Sequence, residues 1–553
     1  MSWFADRPIL RRAALRVACA TLPALLALTA LDPLQTALQS VRAHQLRAHL
    51  WLLSHDRMEG RAPGTRGGEL AALYIASQFT RGGVEPLDGS YIQQVPLLAM
   101  TPLPARSAAT FTRESQVVAL DYGTQFFAWA ENGDSLARAE GELVFAGYGV
   151  TAPEYDWDDY GGRDLRGKIV MVLVNDPPAP PEEPLLFDGR AMTYYGRWTY
   201  KIEEARRRGA AGVVIIHETV AAGYPWSVVQ TSWSAERLSL ARAADERDSV
   251  AVGAWVTRAA ADSLLRLAGL DLDGLTARAA RRSFVPVATG IRASLSAPGR
   301  ARRFDAVNVW AVVRGSDPVL REQAVVYTAH YDHLGIAEPV DGDSIYNGAY
   351  DNASGVAALI EIAEGFSLMH PRPARSVVFL ATTGEEMGLL GAEYYVRNPA
   401  VPLALTAAVI NLDGVNVWGE TDDIIVLGGE RSTIGPFLQR RANDMNLRIT
   451  GDRSPERGFY FRSDQFPFAR AGVPAVKVEH GTHFRDRPAE WGERVLRRYE
   501  GERYHQPADE FSPEFDLAGA VQQARFALSV GYDIAQADSM PDWYVGSEFQ
   551  RPP

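Results

Sequence analysis

The second half of the chain alternates short apolar runs with amphipathic segments, and this alternation constrains the fold more than any other feature. Runs typical of strands are "QAVVYTA", "RSVVFLA", "TAAVINL" and "AVKVE", whereas "SGVAALIEIAEGF" has the period of a helix. Apolar strands separated by helices are typical of a mostly parallel sheet covered by helices on both faces. From about residue 301 we therefore predict an α/β domain of this architecture.

The region before residue 301 has a different sequence pattern. Short β-type runs such as "GELVFAGYGV", "KIVMVLV" and "GVVIIH" alternate with turns and predict a separate β-rich domain. At 553 residues the chain is too long for one ordinary domain. We divide it into residues 1–40 (a signal peptide or N-terminal anchor), 41–100 (the first part of the α/β domain), 101–300 (an inserted β-rich domain), 301–540 (the main part of the α/β domain) and 541–553 (a C-terminal tail).

Composition narrows the class of protein and the kind of metal site. With 46% hydrophobic and 22% charged residues, the chain has the make-up of a soluble globular protein. A net charge of −12 argues against nucleic-acid binding, which usually needs a basic surface. The single cysteine, Cys19, permits neither an internal disulfide nor a cysteine-based zinc site. Any metal site must therefore use His, Asp and Glu.

The N-terminus has the pattern of a targeting segment. A basic stretch, "RPILRRAALR", leads into the apolar run of residues 17–31. About 15 residues are short for a spanning helix, which needs about 20. We predict export to the periplasm or the exterior, with a cleaved signal peptide and a retained membrane tether both open. The alternative is an ordinary buried helix.

Metal-binding residue types follow the predicted strands. They are His330 and Asp332 after "AVVYTA", Asp351 before the long helix, Glu385 and Glu386 after "VVFLA", Asp413 after "AAVINL", and His505 near the C-terminus. Because the carboxyl ends of parallel strands meet at one edge of a sheet, these side chains are expected to lie close together. The sequence therefore predicts a metal site at that edge.

The residue types suit zinc, which binds His nitrogen and carboxylate oxygen. Two ions about 3.5 to 4 Å apart need a bridging carboxylate, and two His with three carboxylates then give each ion three ligands. The adjacent glutamates are expected to have different roles, because neighbouring side chains on an extended segment point in opposite directions. If Glu386 binds metal, Glu385 is left to act as a general base towards water.

Several motifs occur together and in order: "YTAHYDHLG", "GAYDNASGVAALIEIA", "ATTGEEMGLLGAEYY", "INLDGVN" and "YHQPADE". As a set they resemble the co-catalytic zinc exopeptidases of metallopeptidase family twenty-eight. That family includes aminopeptidases, glutamate carboxypeptidase II, glutaminyl cyclases and the transferrin receptor. The resemblance covers most of the chain, and "AGYGVTAPEYDWDDYGGRDLRGKIVMVLVNDP" resembles the protease-associated domain inserted in many members.

The resemblance implies two zinc ions bridged by Asp351. His330 and Asp413 complete the ligands of one ion, and Glu386 and His505 complete those of the other. By the same resemblance Glu385 is the general base, Asp332 orients the ring of His330, and Tyr504 steadies the tetrahedral intermediate. For Tyr504 a packed aromatic residue is an equal alternative, and His333 is taken as a loop residue without a metal role.

The expected function is that of an aminopeptidase acting on peptides. Alternatives are a glutamate carboxypeptidase-like dipeptidase, a glutaminyl cyclase, or a receptor-like module without catalysis. Retention of all five ligands argues against the receptor. The sequence carries no signal for an oligomeric state.

We expect "FDGRAMTYYGRWTYK" to form a domain-interface loop, with a position facing the cleft as the alternative. "HGTHFRDRPAEWGERVLRRYEG" is predicted to be an irregular insertion that shapes the substrate pocket.

Overall fold

The computed structural model describes residues 32–242 and 250–550. The predicted targeting run, residues 17–31, lies outside them. The α-helices of the described part are α1 (Pro33–Ser40), α2 (Ala43–Leu53), α3 (Arg66–Arg81), α4 (Trp198–Arg207), α5 (Thr219–Ala222), α6 (Trp226–Ser234), α7 (Arg258–Leu267), α8 (Leu272–Ala279), α9 (Ser354–Ser367), α10 (Leu390–Arg397), α11 (Gly435–Asp444), α12 (Gln465–Arg470), α13 (Trp491–Glu502) and α14 (Ala518–Gln536).

The strands follow the same chain order. They are β1 (Glu85–Pro86), β2 (Ile92–Pro102), β3 (Ala108–Arg113), β4 (Gln116–Ala119), β5 (Phe126–Ala130), β6 (Leu136–Phe145), β7 (Thr151–Ala152), β8 (Trp157–Asp158), β9 (Ile169–Leu173), β10 (Gly212–His217), β11 (Arg237–Leu240), β12 (Val252–Thr257), β13 (Val287–Val313), β14 (Ala324–His330), β15 (Gly335–Val340), β16 (Asp343–Tyr346), β17 (Ser376–Thr382), β18 (Thr406–Asn411), β19 (Asp423–Leu427), β20 (Arg448–Thr450) and β21 (Ala475–His480).

Four parallel strands form the centre of the main sheet. β14 pairs in parallel with β17 on one side and β18 on the other, and β18 pairs in parallel with β21. Antiparallel strands flank this centre, with β13 and β2 beyond β17 and β19 beyond β21. Every residue of β14, β17 and β18 is buried, as expected for strands covered on both faces. The predicted α/β fold is confirmed.

Helices cover both faces of this sheet. Alternate residues of the central strands pack into two different clusters, because successive side chains of a strand point to opposite faces. One cluster includes residues of α9 and α14, and the other includes residues of α10 and α12. In α9 only Glu364 and Ser367 are not buried. A helix that is apolar almost all round belongs in the interior, so α9 lies at the centre of the domain.

A second β-rich unit is joined to the main sheet by one long strand. β6, β9, β10 and β12 form a parallel row, which includes the apolar runs singled out in the sequence. The first half of β13 pairs with β6, and its second half pairs with β2 and β17. The predicted boundaries at residues 100 and 300 thus fall inside β2 and β13. The division into domains and the assignment of this unit as a protease-associated domain stay predictions.

Two segments near the C-terminus are more ordered than their sequences suggested. The insertion before His505 was predicted to be irregular, which is wrong for its second half, because α13 forms there. Leu496 and Tyr499, three residues apart, are buried on one face of α13, and this spacing is the helical signal. In the C-terminal segment Trp543 and Phe549 are buried, so residues 541–550 pack against the core.

Among the helices of residues 32–242 and 250–550, none combines the length and the apolar character that a membrane-crossing segment requires.

Candidate metal centre

The predicted metal-binding residues lie at one edge of the main sheet. β14 ends at His330, which is paired with Thr382, the last residue of β17. Asn411, the last residue of β18, is paired with β14 two residues before His330. The adjacent glutamates and Asp413 follow β17 and β18 within four residues. Parallel pairing therefore brings together side chains that are far apart in the sequence.

Asn352 ties the loops at this edge together. Its side-chain Nδ2 donates to the carbonyl oxygens of His330 at 3.3 Å and Leu412 at 3.0 Å. Its Oδ1 accepts from the backbone N–H groups of Gly355 at 3.0 Å and Gly414 at 3.1 Å. One buried amide thus uses its donor and acceptor atoms to hold two strand ends and the start of α9. This arrangement fixes the position of its neighbour in the chain, Asp351.

The carboxylate of Asp351 lies between two histidines. His330 Nε2 is 3.3 Å from Asp351 Oδ1 and 3.4 Å from Asp413 Oδ1. His505 Nε2 is 3.4 Å from Asp351 Oδ2 and 3.0 Å from Glu386 Oε2. Each oxygen of Asp351 therefore faces a different histidine. This is the arrangement of a ligand that bridges two adjacent positions.

The other two carboxylates each have one oxygen held by the protein. Asp413 Oδ2 accepts a hydrogen bond from Ser463 Oγ at 2.7 Å and lies 3.0 Å from Lys477 Nζ. Glu386 Oε1 accepts from His333 Nδ1 at 2.6 Å. The second oxygen of each carboxylate is left facing the cluster. The sequence analysis missed Ser463, Lys477 and His333 as supporting residues. Its one available signal was a lysine inside the apolar run "AVKVE".

Glu385 lies close to His330 and Asp413. Ligand atoms of His330, Glu385 and Asp413 lie within 4.8 Å of one another, and a second such group contains His330, Asp351 and Glu386. The two adjacent glutamates thus fall in different groups. They lie in a turn after β17, however, so the extended segment assumed from the sequence is wrong. Both groups contain His330 at the end of β14.

Asp332 contacts His330 through its backbone. The carbonyl oxygen of Asp332 lies 3.2 Å from His330 Nδ1, whereas its carboxylate oxygen lies 3.9 Å away, beyond hydrogen-bond distance. The carboxylate instead accepts from the backbone N–H of Glu385 at 3.2 Å. Asp332 therefore contacts both the backbone of Glu385 and the ring of His330, and the predicted role of its carboxylate in orienting His330 stays a prediction.

The segment "YHQPADE" contributes three residues. The ring of Tyr504 stacks on His505 with centroids 3.9 Å apart, and 48% of the residue is exposed. Asp509 is buried, and its carboxylate accepts from the backbone N–H groups of Tyr350 at 3.0 Å and Asp351 at 3.1 Å. The segment thus supplies a ligand and also holds the backbone of Asp351. The predicted role of Tyr504 in catalysis stays a prediction.

The buried side chain of Arg61 hydrogen-bonds to two loops near the cluster. Arg61 donates to the carbonyl oxygens of Tyr331, Asn347 and Gly348 at 2.7, 2.6 and 2.9 Å. One planar guanidinium joins the loop after β14 to the loop that carries Asp351. It therefore fixes the positions of these two loops relative to each other. Burial lowers the pKa of Arg61 to about 10, so the group stays cationic at neutral pH beside the acidic cluster.

The surroundings push the pKa values of the adjacent glutamates apart. Burial raises the pKa of Glu385 well above its usual value, although His330 opposes the shift. Burial and Asp351 also act to raise the pKa of Glu386, but His505 and His333 outweigh them and lower it to about 2. Glu386 therefore favours the ionised form that a metal needs, and Glu385 is suited to hold and release a proton.

The donor atoms fit zinc. Two imidazole nitrogens and three carboxylates are the ligand types that zinc accepts when cysteine is absent. His505 Nε2 is buried and has no hydrogen-bond partner within the described residues, although two carboxylates face it at 3.0 and 3.4 Å. A ligand nitrogen that points at carboxylates without bonding to them is expected where a cation is shared.

His333 provides a test of how the site is supported. His333→Ala should weaken binding of one of the metal ions by about 10- to 100-fold, because partners that hold a ligand are usually worth that much. His44→Ala, at an exposed position, is the matched control and should leave binding unchanged. Competitive metal titration of both purified variants measures the effect. Unchanged metal affinity in His333→Ala would show that the contact with Glu386 serves packing alone.

Comparison with known proteins identifies the class. Residues 308–529 match the model of peptidase family M28. A probable zinc metalloprotease of Leptosphaeria maculans is 41% identical over 203 residues, which are 31% of this chain and 45% of the relative. A probable zinc metalloprotease of Pyrenophora teres f. teres is 39% identical over 108 residues, 19% of this chain and 22% of that protein. The chain spans less than half the length of these relatives.

Two further matches come from other organisms. Leupeptin-inactivating enzyme 1 of Streptomyces exfoliatus is 27% identical over 215 residues, 36% of this chain and 46% of that enzyme. Among solved structures, an aminopeptidase from Aneurinibacillus sp. strain AM-1 aligns over 90% of this chain and 95% of its own, with 19% identity and a TM-score of 0.49.

The fold, the ligand cluster and the matching family model together place this domain in the class of zinc metallopeptidases. Within that class, residues 308–529 form a domain of peptidase family M28, and the resemblance inferred from the motifs is confirmed.

Proposed function

We propose that the protein is a di-zinc exopeptidase that removes N-terminal residues from peptides, with Glu385 as the general base. The observation that carries the proposal is the carboxylate of Asp351, whose two oxygens face His330 and His505. A carboxylate in that position would help to hold two zinc ions. Asp413 would complete the protein ligands of one ion and Glu386 those of the other.

The residues around the cluster have different roles in the proposed reaction. When bound, zinc supplies Lewis acidity that polarises the peptide carbonyl and activates water. Glu385, which lies close to His330 and Asp413, takes the proton of the attacking water and passes it to the leaving amine. The carbonyl of Asp332 holds the ring of His330. The hydroxyl of Tyr504, whose ring stacks on His505, would donate to the oxygen on which negative charge develops.

Substrate preference supplies the direct test. We expect peptides with a free N-terminus to be cut and their N-acetylated counterparts to resist, because an aminopeptidase has to hold the free amine beside the metal ligands. The measurement is kcat/KM for a panel of amino-acid p-nitroanilides, each with its acetylated partner, with zinc supplied. Efficient cleavage of an acetylated dipeptide ending in glutamate would instead support the carboxypeptidase alternative. Absence of both hydrolysis and bound metal would support the receptor-like alternative.

We also propose that the protein is exported, either free or tethered at its N-terminus. The proposal rests on the basic stretch and the apolar run of residues 17–31. Cell fractionation with an antibody to the main domain tests it. Full-length protein confined to the cytoplasmic fraction would refute export.

A further inference from the structure

Helix α2 has a buried inner face that fixes its orientation. Leu46, Leu50 and Leu53 are buried on this face. His49 is buried beside them, and its Nε2 lies 3.0 Å from Glu361 Oε1 of α9. Residues three or four positions apart share one side of a helix, so these contacts also decide which residues of α2 point outwards.

The outer face of α2 is formed by His44, Arg47, Ala48 and Trp51. Their spacing of three and four residues places them on the side opposite the buried leucines. Arg47 is half-buried and the other three are exposed, with 50% of Trp51 open to solvent. His55 extends this face, because its ring meets that of Trp51 edge-on at 5.4 Å. A large aromatic side chain is therefore left exposed.

The chain around this face is basic, although the whole protein is acidic. No Asp or Glu lies between Asp32 and Asp56, whereas the whole chain has 68 of them against 56 Lys and Arg. Arg42 donates to one backbone carbonyl oxygen at 3.3 Å, and Arg47 donates to two, at 3.2 and 2.6 Å. In the described part of the chain, neither guanidinium forms an ion pair with a carboxylate. Their charges are therefore available to an external anion.

The outer face is also close in the chain to the run proposed as a tether. Only Asp32 separates residues 17–31 from α1, whose eight residues span about 12 Å. Val41 and Arg42 then lead directly into α2. From the end of the run to the start of α2 the chain therefore spans at most about 25 Å. If the run is held in a membrane, α2 lies near the membrane surface.

Two properties of the outer face suit an anionic lipid surface. Each arginine close to such a surface strengthens binding by about 5-fold. Tryptophan is enriched at the boundary between membrane and water, where its ring lies at the level of the head groups. The absence of acidic residues from this stretch removes the repulsion that a chain with a net charge of −12 would otherwise meet there.

We propose that the outer face of α2 docks on an anionic lipid surface, with Trp51 among the head groups and Arg42 and Arg47 beside the phosphates. The inference rests on the proposed export and adds an orientation to it. Leu53, at the end of α2, accepts through its carbonyl oxygen from Arg61 Nη1 at 2.5 Å, and Arg61 joins the loops of the metal centre. Docking of α2 would therefore fix how the metal centre is oriented to the membrane.

The experiment places a fluorescent label at position 48 of the full chain. Ala48→Cys in a Cys19→Ala background provides a single thiol. Val220→Cys in the same background is the matched control, at a position of the β-rich unit that is 89% exposed. Both proteins are reconstituted into vesicles with a nitroxide quencher on the head groups, made of phosphatidylcholine alone or with phosphatidylglycerol added. The label at position 48 should be quenched mainly in the anionic vesicles, and the label at position 220 in neither.

Substitutions on the outer face measure what charge and the aromatic ring contribute. Arg42→Gln should lower the ratio of docked to undocked protein by about 5-fold and Arg42→Glu by about 30-fold, because they remove one and two units of positive charge. Trp51→Ala should also lower it. Arg292→Gln, at an arginine of β13 whose side chain is 70% exposed, should leave it unchanged. Thermal unfolding of each variant checks that the fold is retained.

Flotation of the unaltered chain with phosphatidylcholine vesicles tests the tether separately. Flotation together with an unquenched label at position 48 in anionic vesicles would overturn the docking and leave the tether standing. Quenching in anionic vesicles without flotation on neutral ones would overturn the tether and leave the docking standing. Equal quenching in both kinds of vesicle would overturn the preference for anionic lipid. A label shielded from a water-soluble quencher before vesicles are added would show that this chain itself covers the face, which also overturns the docking.

Discussion

Replacing Glu385 by glutamine is expected to lower kcat by about 10² to 10⁴-fold, the usual worth of a positioned general base. Glutamine keeps the size of the side chain but cannot take a proton. Metal content should stay near that of the unaltered protein if Glu386 and Asp413, which each face a histidine of the cluster, supply the ligand oxygens. The loss should appear in kcat more than in KM, since proton transfer matters in the transition state.

Glu386→Ala supplies the contrast at the neighbouring position. It removes a carboxylate that faces His505 at 3.0 Å and is held by His333 at 2.6 Å. Affinity for one ion should fall, and excess zinc should restore part of the activity. Excess zinc should do nothing for Glu385→Gln. Metal titration paired with steady-state kinetics on both variants measures the difference. Equal metal loss in the two variants would show that the roles of the pair are assigned wrongly.

Removal of divalent ions is expected to abolish turnover, and zinc or cobalt should restore it. The reason is that five side chains fill six ligand positions when Asp351 serves both ions. Elemental analysis should find two ions per chain in the unaltered protein. Zinc at about 100 times its Kd should also stabilise the fold by about 2.7 kcal/mol for each site, which thermal unfolding measures without reference to activity.

Variants of the ligands test this stoichiometry. Asp351→Ala should lower the content of both ions, whereas Glu386→Ala should lower that of one. Full activity with a single tightly bound ion would contradict the di-zinc proposal and support the cyclase-like alternative. Equal losses in the two variants would show that Asp351 does not bridge.

Much of the main domain could be predicted from the sequence because its signals are local. Continuous apolar runs identify buried strands, and the helical period of "SGVAALIEIAEGF" identifies α9. His330, Asp351 and Asp413 were found because each follows or precedes such a run. Parallel pairing then requires strand ends to meet at one edge.

Long-range contacts could not be predicted in this way. The contact between His333 and Glu386 joins residues 53 positions apart, and Arg61 reaches loops about 270 and 290 positions away. Such pairings depend on how loops pack around the sheet edge, and no periodicity records them. The length of β13 was not predicted for the same reason. Its first half pairs with β6, and its second half pairs with β2 and β17.

The sequence by itself determined which residues can bind metal, because ligand chemistry is a property of residue type. Only the tertiary structure decided which oxygen of each carboxylate faces the cluster and which is held by Ser463 or His333. It also brought Tyr194 of the β-rich unit against Phe466 of the main domain, 272 positions further along the chain. Burial and charge at that interface arise from packing between units, and packing exists only once the whole chain has folded.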